Sequence, residues 1–135
     1  MESPYKTDHG KEEITSILET IHECIRCGRY AISMNERRTE NILFRDTYRM
    51  TPPKQKSLIL SIAVEDFCYS LHNTKPGYEH EVLYVFCPTT IQHGVDDIPT
   101  RLELYMKFNI LLSEEKYVIV ISFHERKKPV EFLFR

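Results

Sequence analysis

The chain has 135 residues, of which 41% are hydrophobic and 28% charged, and its formal net charge is −2. That length suits one domain with a real core, and the composition is ordinary for a globular protein. No apolar run approaches a membrane span, the charged amino terminus does not read as a signal peptide, and the small net charge argues against a surface given over wholly to phosphate; a soluble, cytoplasmic protein is expected, with no membrane partner.

In chain order, residues 1–10 are polar and expected to be flexible, leaving 11–135 as a single domain. From Lys11 to Cys27, Ile14, Ile17, Leu18, Ile21, Cys24 and Ile25 follow the three-four spacing of one buried helical face, and Gly28 is placed to end the helix. Arg29 to Ser33 reads as a short extended segment. A second helix is expected over Thr39 to Met50, with Ile42, Leu43, Phe44 and Tyr48 buried. Thr51-Pro52-Pro53 signals the start of a third, through Leu58, Ile59 and Ile62. Asp66 to Leu71 reads as a strand, Pro76-Gly77 as a turn, and Val82 to Phe86 as a short central strand. Residues 87–100 are expected to form a long loop, and Val130 to Phe134 a last short strand. Helices first and strands later predict an α+β domain with amino-terminal helices packed on a twisted antiparallel sheet.

The segment 101–126 is the most informative. Leu102, Leu104, Met106, Phe108 and Ile110 alternate with Glu103, Tyr105, Lys107 and Asn109, the period-two pattern of a strand with one buried face. Tyr117 to His124 is a nearly continuous apolar, β-branched run. The best hydrophobic match pairs Met106 with Phe123, Phe108 with Ile121 and Ile110 with Ile119, leaving Ser113 to Lys116 as a four-residue loop. The other face then sets Tyr105 opposite His124 and Lys107 opposite Ser122. A phenol, an imidazole and an ammonium share one patch, which is either a functional site or the wet side of a sheet.

Charge is unevenly spread. Residues 26–56 are net basic and hold Arg37 and Arg38; the stretches 1–25 and 57–104 are net acidic; the tail adds Arg126, Lys127 and Lys128 just after His124. If the two basic regions meet, they form a local electropositive surface. Cys24-x-x-Cys27 lies in a helical pattern with no second such pair, and Cys24 falls on the apolar stripe, so a core role outweighs a metal site. His22 lies off that stripe and is expected to be solvated. His80, Cys87 and His93 lack zinc-ligand spacing; no metal and no cofactor are expected.

Four blocks follow one another in a known order: Asp66-Phe67-Cys68-Tyr69-Ser70 after a hydrophobic helix, Glu81-Val82-Leu83-Tyr84, Leu104-Tyr105-Met106-Lys107-Phe108, and Val120-Ile121-Ser122-Phe123-His124-Glu125. Over residues 14–126 they resemble the motility quorum-sensing regulator (MqsR) toxin family of bacterial type II toxin–antitoxin systems. The resemblance implies a RelE-like fold, metal-independent cleavage of messenger RNA, and a cognate antitoxin as partner. The family's strand tyrosine and lysine fall on Tyr105 and Lys107. His124 stands where the family has a lysine, Tyr69 replaces a lysine, and Glu81 replaces a glutamine.

The altered set retains a chemical logic. Metal-free cleavage uses the RNA 2′-hydroxyl as nucleophile and needs a base, an acid and positive charge at the phosphate. His124 suits either proton-transfer role. Tyr105, Lys107, Glu81 and Tyr69 complete the candidate catalytic set, and Arg126, Lys127, Arg101, Arg37 and Arg38 are candidate RNA contacts. The alternative is a non-catalytic relative that binds a protein, or a second copy as a homodimer, through an exposed strand edge.

Overall fold

A computed structural model describes residues 4–94 and 96–135. Residues 1–3 of the terminus expected to be flexible, and Val95 of the expected loop, lie outside the described residues. The chain is α+β. Helix α1 spans Lys11–Arg26, strand β1 Tyr30–Ile32, helix α2 Thr39–Thr47 and helix α3 Pro52–Leu60. Strands β2 Phe67–His72, β3 Val82–Phe86, β4 Thr89–His93, β5 Pro99–Leu111 and β6 Tyr117–Glu125 follow. Gly28, at φ +75°, ends α1, with the Arg29 N–H donating to the Cys24 carbonyl at 2.9 Å.

The spaced isoleucines and leucine of α1 are buried in one cluster with Phe44 of α2, Leu58 and Ile59 of α3, and Phe86, Leu104, Met106, Phe108, Val118, Val120 and Phe123 of the sheet. Alternation on β5 sends Tyr105 to the other face, where a smaller cluster joins Cys68, Val85 and Cys87 with Val130 and Phe132 of the tail. Residues expected to fray at the amino terminus lie along β2. Lys6 and Ser70 exchange backbone bonds of 2.7 and 2.9 Å, and His9 Nε2 sits 2.7 Å from the Ser70 hydroxyl.

The sheet departs from the expected pattern in three places. Its order is β1-β6-β5-β3-β2, with β4 beside the first half of β5. It is mixed, not antiparallel, because β1 runs parallel to β6. Residues 87–100 are not one loop: Thr89 to His93 pairs with Pro99 to Glu103 as a hairpin arm. Val130 to Phe134 forms no strand and is tied by the Leu133 N–H to the Phe67 carbonyl at 3.1 Å. In α2, Phe44 is buried as expected, but Leu43 is 67% exposed and Asn41 takes the inward position.

The hairpin register is right near the site and wrong near its loop. Tyr105 pairs with His124, Met106 with Phe123 and Lys107 with Ser122. Phe108 then pairs with Val120 and Ile110 with Val118, so Ile121 is an extra, bulged residue. The bulge reverses side-chain parity. Val118 and Val120 face the core, and so does Phe123, three residues on. Without the extra residue, Ser122 and His124 would continue the inward row.

Asn41 holds that bulge. Its side-chain amide donates to the Ile121 and Ser33 carbonyls, both at 2.9 Å, and its oxygen accepts from the Phe123 N–H at 2.9 Å. The residue is 2% exposed, so no water replaces these bonds in place. Asn41→Ala leaves buried backbone groups without partners and is expected to cost about 2–4 kcal/mol, read as a lower urea midpoint at unchanged slope; an unchanged midpoint would show the clamp to be dispensable.

Candidate functional site

The site lies where β5 and β6 pair beyond the bulge, closed on one side by the start of α2. Tyr105 and His124 are directly opposed across the strands, their rings 5.5 Å apart and 17° from parallel. Tyr69 reaches the same patch through a second bulge, between Phe67 and Tyr69 on β2, which places Phe67 in the main core and Tyr69 on the opposite face. The Tyr69 and Tyr105 hydroxyls are 3.1 Å apart. Burial, followed by the bond to Tyr105, pushes the Tyr69 pKa up; burial likewise raises that of Tyr105. Both phenols are therefore neutral donors at physiological pH and poor bases.

His124 Nδ1 donates to the Glu125 carbonyl at 2.7 Å, and Nε2 faces the Glu40 carboxylate at 3.2 Å. A carbonyl cannot donate, and a carboxylate accepts, so the ring satisfies both neighbours when both nitrogens carry hydrogen. The other Glu40 oxygen is 3.2 Å from Lys127 Nζ. Glu40, Tyr105, His124, Arg126, Lys127 and Lys128 line a cavity of about 220 Å³, with the Glu40 carboxylate held between His124 and Lys127. An incoming anion of similar size can take that carboxylate's place.

Lys107 lies two residues along β5 from Tyr105, about 7 Å on the same face. Burial, then the nearby Arg38 guanidinium, lowers its pKa. Among the described residues no carboxylate pairs with Lys107 or Arg38, so two neighbouring cations stand uncompensated. Arg126 is not free: it pairs with Glu103 at 2.5 Å, and the same carboxylate meets Arg101 at 3.6 Å. Arg37 is exposed in the turn before α2, where its N–H donates to Asn35 Oδ1.

Of the expected catalytic set, Tyr105, His124, Lys107 and Tyr69 share this face, whereas Glu81 does not. Glu81 accepts from Asn73 Nδ2 at 3.0 Å and lines a different cleft with Ile17, Ile110 and Leu111. Of the basic block, the start of α2 reaches the site, while Arg45 pairs with Asp46 and lines a separate depression with Arg49. Glu40 was not foreseen; an acidic residue in the first turn of a helix reads as ordinary dipole compensation, and nothing local announces that it faces His124. His22, expected in solvent, is half-buried with Nε2 at 3.0 Å from the Ile59 carbonyl. Cys24 is buried and Cys27 exposed, and no group of three or more metal-ligating side chains occurs among the described residues. No family model, no curated protein and no solved structure matches this chain.

Lys107 carries the clearest electrostatic penalty in the site. Its pKa lies lower in the folded than in the unfolded chain, so the penalty is full at neutral pH, where both states are protonated. It shrinks as pH rises through the depressed value toward the ordinary 10.5. Lys107→Met is therefore expected to raise Tm by a few degrees at pH 7, with the gap to wild type closing at alkaline pH. A Tm that falls at pH 7, or a gap that is constant with pH, would contradict this account of the lysine.

Proposed function

We propose that this protein is a metal-independent endoribonuclease, the toxin of a type II toxin–antitoxin pair, acting in the cytoplasm with a RelE-like fold. The observation that carries it is a stacked Tyr105–His124 pair sharing one sheet face with Lys107, a lysine paired with no carboxylate among the described residues and close enough to Arg38 at the start of α2 to feel its charge. A half-buried pair of like charges is costly unless a ligand brings the opposite charge. A backbone phosphate of RNA supplies it, and the likeness to the MqsR family agrees with that substrate.

In this mechanism the scissile phosphate displaces the Glu40 carboxylate and bridges His124, Lys127 and the Lys107–Arg38 pair. The Glu40 carboxylate, released from His124 and Lys127, accepts the proton of the 2′-hydroxyl, while the Lys107 ammonium stays on the phosphate. Oxygen O2′ attacks phosphorus, and His124 gives its Nε2 proton to the departing 5′-oxygen. Tyr105 donates to a non-bridging oxygen, and Arg38 stabilises the charge that develops there. DNA lacks the nucleophile and is spared.

A second reading rests on the β4–β5 arm, where Ile91 and Ile98 are 66% and 58% exposed. A relative without catalysis would use that arm to bind a protein partner, or a second copy of itself. Purified protein separates the two. The nuclease cuts single-stranded RNA in the presence of EDTA, leaves DNA of the same sequence intact, and loses at least about 100-fold in rate in His124→Ala. Expression of the wild type arrests bacterial growth, His124→Ala relieves the arrest, and an antitoxin encoded beside the gene suppresses it. Intact RNA after prolonged incubation, with harmless high-level expression, favours the binding module. Glu40→Gln tests the anion exchange directly: inorganic phosphate should bind more tightly than to wild type, and equal or weaker binding would sink the displacement step.

A further inference from the structure

Beside the anion cavity lies a second one of about 350 Å³. The two share Glu40, His124, Arg126 and Lys127, so a ligand seated in one extends into the other. The second cavity has a different character. Its walls include Leu43, Phe44 and Tyr48, with the Phe44 and Tyr48 rings 5.4 Å apart. Leu43 is 67% exposed there, apolar surface left to water beside a charged site. Two carboxylates line it: Glu40, which meets His124 and Lys127, and Glu125, which pairs with neither.

Glu125 is held in place. The Tyr48 hydroxyl donates to its Oε1 at 2.8 Å. Burial, with that carboxylate beside it, pushes the Tyr48 pKa up to about 12, so the phenol remains a donor. Among the described residues Oε2 has no hydrogen-bond partner. The result is a partly apolar slot with a fixed acceptor in it, continuous with a seat for phosphate.

We propose that this slot is a nucleobase subsite, and that Glu125 selects bases that carry an exocyclic amino group. The inference rests on the phosphate site described above and adds to it the identity of the neighbouring group. Apolar and aromatic side chains take the faces of unstacked bases with little regard to sequence. A carboxylate can only accept, so it pairs with the amino groups of cytosine, adenine or guanine. Uracil presents a carbonyl where cytosine presents its amine, and two acceptors then face each other. The carboxylate is also the wrong charge for a second phosphate, which excludes a continued backbone path through this slot.

The test is a binding panel on the full chain, with CMP, UMP, AMP, GMP and inorganic phosphate titrated by calorimetry. The amino-bearing nucleotides should bind more tightly than inorganic phosphate, and CMP about tenfold more tightly than UMP. Glu125→Gln, whose side chain can both donate and accept, should bring CMP and UMP within about twofold while leaving inorganic phosphate unchanged. Leu43→Asp, at an exposed position that the fold tolerates, should weaken all four nucleotides toward the phosphate value. Nucleotides that bind no better than phosphate, or CMP and UMP alike on wild type, would overturn the proposal. An RNA-cleavage assay on the same preparation keeps the two ideas apart. No cleavage with the CMP preference intact removes the nuclease and keeps the base site; cleavage with CMP and UMP bound alike does the reverse.

Discussion

Three hydrogen bonds from one buried amide decide what this sheet displays. Asn41 spans from the end of β1 to the bulge of β6, taking up the Ser33 and Ile121 carbonyls and the Phe123 N–H. Those groups lie past the end of the three-residue β1 pairing, where the edge of β6 would otherwise be bare. With the bulge held, Phe123 turns into the core against Phe44, at 5.6 Å, and His124 turns out beside Tyr105. The same amide sets the position of α2, whose first turn delivers Glu40 to His124. One polar side chain thus couples core packing to the composition of the site.

A second bulge repeats the device. On β2, the irregularity at Cys68 lets Phe67 pack in the main core while Tyr69 meets Tyr105 on the other face. Bulges cost ladder hydrogen bonds but re-aim side chains, and here both re-aim toward one patch. The patch is electrostatically unbalanced on one side and self-neutralised on the other. Arg38 lies near enough to Lys107 to lower its pKa, and neither pairs with a carboxylate among the described residues, whereas Glu40 binds His124 and Lys127 together. The two halves are complementary in what they ask of a ligand: charge for the first, and replacement of a carboxylate for the second.

Much of this was legible in the sequence, for reasons that can be stated. The α1 stripe, the Gly28 stop and the alternation of β5 are local patterns, and local patterns survive folding when nothing contradicts them. The Tyr105–His124 pairing was also legible, because the hydrophobic match from Met106 to Phe123 lies beyond the bulge and is unbroken. The same match failed toward the loop, since the run Val118 to Ile121 carries no polar residue to betray a change of face. The β4 strand was missed because Thr89 to His93 is half-exposed and lacks a buried face to leave a pattern. The parallel β1 was too short to declare a partner, and α2 could not reveal that its asparagine, not its leucine, points inward.

The amino-acid sequence by itself determined the three helices, the main strands, the apolar face of β5, and that a phenol, an imidazole and an ammonium share a hairpin face. Those are consequences of side-chain period, which is a property of neighbours along the chain. Only the tertiary structure decided that Glu40 meets His124, that the charge of Arg38 is felt at Lys107, that Glu81 stands apart, and that a slot with Glu125 in it opens beside the anion cavity. Each of these depends on where α2 lies relative to β6, and that placement is set by a hydrogen-bonded contact between residues about 80 positions apart in the chain.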